Sequence, residues 1–100
     1  MIIVGGTFEV EPGQQEAFIA SHVELMKISR AEKGCIDYAF LPDPIESDRV
    51  TLFERWETPE DLTAHLAAMQ AAASSSAPRM LPKAAQVTFY DATERPRPGS

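Results

Sequence analysis

The hydrophobic period switches from two to 3.6 and back twice along residues 2–92, and this alternation constrains the fold more than any other feature of the chain. In residues 2–11, Ile2, Val4, Gly6, Phe8 and Val10 alternate with Ile3, Gly5, Thr7, Glu9 and Glu11, which predicts a two-faced strand. Gly5 and Gly6 weaken it, and mark either a bulge or a place where another group approaches the backbone closely. "EPG" at 11–13 is a turn signal. From Gln14 to Lys33 the period becomes helical: Phe18, His22, Leu25, Met26 and Ser29 share one side, while Gln15, Glu24, Lys27 and Arg30 face water. That predicts one continuous helix of about five turns, ended by Gly34 at its C′ position.

Alternation returns at 35–41, with Ile36, Tyr38 and Phe40 on one face, and again at 49–57 after a proline-broken loop at 42–48. In this third strand Val50, Leu52, Glu54 and Trp56 oppose Thr51, Phe53, Arg55 and Glu57. A second helix then starts sharply. Thr58 is a good N-cap, Pro59 fits the first helical position, and Glu60 and Asp61 suit the positive end of the dipole, with Asp61 placed for a capping-box bond. Leu62, His65, Leu66 and Met69 form its stripe. The Ala/Ser-rich stretch 67–82 reads as helical at first and irregular later, and 85–92 as a fourth strand.

The order β-α-β-β-α-β predicts an α+β, ferredoxin-like domain over residues 1–92, with a frayed tail at 93–100. Four antiparallel strands would carry both helices on one face. The other face, with Ile3, Phe53 and either Val87 or Phe89, is too apolar to leave in water, so two copies are expected to pack sheet to sheet as a homodimer.

A chain of 100 residues with a net charge of −6 and scattered Lys/Arg lacks the basic footprint of a nucleic-acid binder. No apolar run approaches the ~18 residues of a membrane span. Cys35 is the single cysteine, which excludes an internal disulfide and a cysteine-based zinc site. With no secretory leader discernible at the N-terminus, a cytoplasmic location is expected.

The chemical signal lies in "FERWETPEDLTAHL" (53–66). Parity puts Leu52, Glu54 and Trp56 on one face; if the helices cover it, Glu54 lies beneath His65, and His22 arrives from the other helix. A buried carboxylate has a raised pKa, and a neighbouring imidazole can share its proton. Such a pair could deprotonate a phenol or hydroquinone. Trp56 and Tyr38 would wall an aromatic ligand. The alternative is structural: His65 and His22 as satisfied core residues, Trp56 as a core aromatic, and Glu54 bonded to backbone or set in a wet crevice. Two histidines and a carboxylate also imitate an iron-binding triad, but no H-x-E spacing supports it and no metal is expected.

"FEVEPGQQEAFI", "EKGCIDYAFLPD" and "LFERWETPEDLTAHL", in this order and spacing, resemble the antibiotic biosynthesis monooxygenase (ABM) family, in its small quinol-monooxygenase-like branch. The resemblance spans residues 2–91. It implies a dimeric α/β barrel of two ferredoxin-like units, oxidising quinol-like or polycyclic aromatic substrates with O2 and without metal, flavin or haem. On it, Glu54 and His65 become the catalytic residues, either one the base, and Trp56 the platform; from the residues themselves, Tyr38, His22, Phe8, Leu52 and Leu62 are expected to complete the substrate-binding wall. Polyketide-oxidising members carry asparagine where Leu52 stands and tyrosine where Leu62 stands, and many quinol-type members carry a second histidine where Gln70 stands. Haem-degrading relatives need an asparagine in the first strand, where this chain has Gly6 or Thr7, so haem breakdown is not expected. Three functions stay open: a cofactor-independent monooxygenase, a non-catalytic small-metabolite-binding barrel, and a proton-transfer isomerase or dehydratase using the same base.

Overall fold

In the computed structural model, which describes residues 1–72 and 78–99, the elements are β1 (Ile2–Glu9), α1 (Gln15–Ala20), α2 (Val23–Arg30), β2 (Cys35–Pro42), β3 (Arg49–Trp56), α3 (Pro59–Ala72) and β4 (Ala84–Asp91). The strands form one antiparallel sheet in the order β2-β3-β1-β4. This is the ferredoxin-like arrangement expected from the periodicity. Its helix-facing side supplies Ile2, Val4, Tyr38, Phe40, Val50, Leu52 and Trp56 to the core, against Phe18 of α1 and Leu62 of α3. No described helix is long and apolar enough to cross a membrane.

The helix expected over 14–33 is two helices, broken at Ser21 and His22. Neither proline nor glycine causes the break. The Phe18 carbonyl, which the helix would bond to the His22 amide, accepts instead from the Ser21 hydroxyl at 2.8 Å and from His22 Nδ1 at 2.8 Å. The His22 amide turns to Ile19 at 2.9 Å, a tighter 3₁₀-type step. Helical order then stops at Arg30, four residues short of Gly34. Gly34 has φ +81°, as a left-handed cap glycine would, but it serves the turn into β2. A Cβ there would lie 2.0 Å from Asp61 Oδ2, so the start of α3 packs directly on this backbone.

Strand β2 carries a bulge that sequence parity does not show. Cys35 pairs with Trp56 and Asp37 with Arg55, leaving Ile36 unpaired and 42% exposed. Ile36 therefore leaves the face of Tyr38 and Phe40, and half-buried Cys35 packs against the core in its place. Strand β1 has no bulge. Gly6 marks close approach instead: a Cβ would sit 3.1 Å from both Gln86 O and Val87 Cγ2.

Thr58 caps α3 as expected, its Oγ1 accepting from the Asp61 amide at 3.1 Å, while the Asp61 carboxylate lies against Gly34. Part of the Ala/Ser-rich stretch, residues 73–77, lies outside the described residues. The far sheet face differs from expectation at β4. Val4 pairs with Phe89 and Gly6 with Val87, which puts both aromatic and valine on the helix side. Tyr90, opposite Ile3, is the residue that joins Ile3 and Phe53 on the far face, where Arg55 also pairs with Asp37.

Candidate active site

Strand β3 lies between β2 and β1, so each of its helix-facing residues has a neighbour on both sides. Glu54 sits between Tyr38 and Val4 in the cross-strand row. It is 5% exposed, and α3 places His65, 2% exposed, over the same end of the sheet. Burial pushes the Glu54 carboxyl above its ordinary value; a hydrogen bond from Trp56 Nε1, 2.8 Å long, and the nearby His65 ring oppose that rise. Tyr38 is held protonated far up the scale, first by burial and then by the Glu54 charge. The buried Ser29 hydroxyl beside the phenol offsets part of this without forming a well-aligned hydrogen bond.

The imidazole of His65 is fixed on three sides. Its ring lies over Trp56 with centroids 4.6 Å apart at 34°, and Tyr38 meets it edge-on at 5.4 Å. On the third side Nδ1 is 2.5 Å from Glu32 Oε1. Carboxylates accept, so Nδ1 carries the hydrogen and Nε2 is the basic nitrogen of the neutral ring.

A cavity of about 290 Å³ opens beside this cluster. Glu54, His65, Tyr38, His22, Phe8, Leu52 and Leu62, all singled out from the sequence, line it. Trp56 does not. The indole is fully buried behind His65, and acts on the cavity through the ring it supports and the carboxylate it binds. At the other end, His22 is packed between Phe18 and Phe40, at 4.3 and 4.7 Å between centroids. Its bond to the Phe18 carbonyl requires hydrogen on Nδ1. Burial lowers the His22 pKa, the Phe18 bond works against that, and Arg79 adds to the lowering.

The strap leading to β4 closes one side: Arg79, Met80, Leu81 and Pro82 all line the cavity, and the Met80 amide donates to Ser21 Oγ at 3.0 Å. Val87 and Phe89 of β4 complete the rim. Sequence reasoning missed the strap and Glu32. Glu32 reads as a surface charge in "RAEKG", and only its partner 33 residues away reveals its role. For β4 the pointer in the sequence was Gly6, read as a place of close backbone approach, which Val87 makes in the structure.

Chemically, the cavity offers an apolar, aromatic-walled space with one carboxylate and one imidazole at its inner end, so it can hold a planar ligand and exchange a proton with it. Among the described residues no group of three or more His, Cys, Asp or Glu side chains is disposed to hold a metal ion.

Comparison with known proteins agrees with this architecture. A solved protein from Shewanella oneidensis superposes with a TM-score of 0.71 at 30% identity, covering 89% of this chain and 87% of its own. A haem-degrading protein from Mycobacterium tuberculosis, solved with two haems in its active site, has a TM-score of 0.78 over 97% of this chain and 100% of its own, but 13% identity, a likeness of fold alone. An uncharacterised protein of Synechocystis is 32% identical over 94 residues; the match takes in 93% of this chain and spans 64% of that relative's length. Residues 1–75 match the family model described as antibiotic biosynthesis monooxygenase, and the chain belongs to that family.

Proposed function

We propose that the chain is a cofactor-independent monooxygenase of the quinol-monooxygenase-like branch, acting on a small hydroxylated aromatic with O2. The observation that carries this reading is the convergence of Glu54 and His65 at the inner end of a cavity walled by Phe8, Tyr38, Phe40 and Phe89. At about 290 Å³ the space is near the lower end of small-molecule sites, roughly 300–1,000 Å³, which suits a one- or two-ring substrate. Transfer of a hydroxyl proton to the Glu54/His65 pair leaves an electron-rich quinolate. O2 takes four electrons from it, one oxygen atom entering the ring as a hydroxyl and the other leaving as water, so that quinol plus O2 gives hydroxyquinone plus water. The protein supplies the base, the dry walls and the orientation.

The test is oxygen uptake with a panel of menadiol-type quinols. Pure protein should accelerate it, and His65→Ala or Glu54→Gln should each slow it by about 10²-fold or more, the lower range for a positioned acid–base group. A panel with no acceleration sinks the proposal. Acceleration that needs no O2 would assign the same base to an isomerase or dehydratase. A specific feature favours a binding-only barrel: Leu52 and Leu62 line the cavity with methyl groups at positions where polyketide-oxidising members carry asparagine and tyrosine. Thermal stabilisation by quinones without turnover would be its mark. In either case we expect a homodimer through the far sheet face, where Ile3, Phe53 and Tyr90 cluster.

A further inference from the structure

Two cavities share a wall. Besides the one next to Glu54, a second of about 410 Å³ lies between α2 and α3, lined by Leu25, Ile28, Ser29, Met69 and Arg79 among others. Glu32 belongs to this outer cavity and His65 to the inner one, and the Glu32–His65 bond crosses between them. The two side chains differ sharply in exposure, 24% for Glu32 and 1% for His65. A partly hydrated carboxylate costs less to bury than a sealed one, so Glu32 can act on an interior ring without itself being interior.

We propose that Glu32 is a positioning residue that turns His65 into a directed base: it holds the hydrogen on Nδ1, aims the Nε2 lone pair into the inner cavity, and stabilises the imidazolium that forms there. The step balances simply. The substrate O–H bond breaks, its proton goes to Nε2, and the electron pair stays on the substrate oxygen. The Nδ1 hydrogen remains in its bond to Glu32. When the O–O bond breaks, Nε2–H returns its proton to the outer oxygen, the hydrogen on the oxygenated ring carbon supplies the second, and water leaves with the imidazole back in its starting tautomer.

Three observations favour this over a purely structural clamp. Trp56 packs on the ring's face and Tyr38 on its rim, so the imidazole is held in place independently of Glu32. A clamp between the α2–β2 turn and α3 already exists without it, in the packing of Asp61 on Gly34 and the 2.8 Å bond from the Glu57 amide to the Gly34 carbonyl. And Glu54 is engaged by Trp56, which leaves Glu32 as the carboxylate bonded to the imidazole.

This inference rests on the proposed reading of His65 as a base, so its test has one arm that needs no turnover. Nitrogen-15 NMR of the imidazole reports the tautomer directly. In the wild type His65 should be the Nδ1–H form; Glu32→Ala should shift it toward Nε2–H, and Glu32→Gln, whose amide oxygen still accepts, should largely keep Nδ1–H. In oxygen uptake, Glu32→Gln should lower kcat about 10–100-fold with KM nearly unchanged, and Glu32→Ala somewhat more. Glu32→Ala combined with His65→Ala should be no slower than His65→Ala alone, because the two act as one unit. If His65 stays Nδ1–H in Glu32→Ala, or if Glu32→Gln keeps full kcat while His65→Ala does not, the positioning role is overturned and the monooxygenase reading stands. If no variant or wild type turns over but the tautomer follows Glu32, the dyad stands and the catalytic reading falls.

Discussion

One cross-strand row runs Tyr38, Glu54, Val4, Phe89 from β2 to β4. The first three are 3%, 5% and 1% exposed and the last is 53% exposed, although all four point to the same side of the sheet. The difference is one of cover. Over β2 and β3, the helices and Trp56 seal the row, and there a carboxylate can be held with a raised pKa. Over β4 every residue is exposed, and Phe89 is a rim. A shared sheet face is thus sealed at one end and open at the other, and on the proposed function a ligand would enter past β4.

The sharpest way to break this comparison is to truncate one aromatic at each end. Trp56→Ala removes a fully buried ring and should cost about 3–5 kcal/mol in denaturant unfolding. Phe89→Ala should stay within about 0.5 kcal/mol, the usual range for a surface site, while weakening the affinity for any quinone that enters past it. Equal losses at the two positions would mean that β4 is covered in solution by something the single chain lacks, such as a second copy. A loss at Phe89 that shrinks with dilution, as the wild type dissociates, would identify that copy.

Next in size is Gly34→Ala. The substitution meets two obstacles at once, a φ of +81° and a Cβ position 2.0 Å from Asp61 Oδ2. Together these should cost roughly 2–4 kcal/mol. Because Gly34 lies two residues after Glu32, the variant should also perturb the His65 imidazole in NMR, whereas a substitution in β4 should leave that signal in place. Gly13, also at φ +81° but with nothing within 4 Å of a Cβ, is the control for conformation alone.

The covered end was largely legible in the sequence, because it obeys period and capping rules. Parity placed Leu52, Glu54 and Trp56 together, Thr58–Pro59 fixed where α3 begins, and the stripe then set His65 over the sheet. What escaped were events decided by single side chains or by distant partners. Ser21 and His22 compete for the Phe18 carbonyl and split a helix whose apolar side nonetheless stays continuous, with Phe18, His22 and Ser29 all buried. A bulge at Ile36 breaks parity with no glycine or proline to mark it. Glu32 looks like any solvated charge until the chain brings His65 to it. For β4, alternation alone cannot say which face meets the helices. Pairing decides it, and pairing reversed the expectation for Val87 and Phe89.

The smallest expected effect tests whether the sealed end is as dry as its packing suggests. Glu54 has its pKa raised above the ordinary 4.5, chiefly by burial. A group with a raised folded value holds its proton more tightly in the folded state. Its contribution to stability is therefore fully present below pH 4.5 and is lost as pH rises through the folded value. Glu54→Gln cannot ionise and still offers an oxygen to the Trp56 Nε1–H. Measured as unfolding free energy against pH, the wild type should fall relative to Glu54→Gln as pH climbs from 4.5 through that window, and the gap should then stay constant. Phe89→Ala, at the open end of the same row, should run parallel to the wild type throughout. If Glu54→Gln also runs parallel, water reaches Glu54 freely, and the contrast between the two ends of the row is one of shape rather than of polarity.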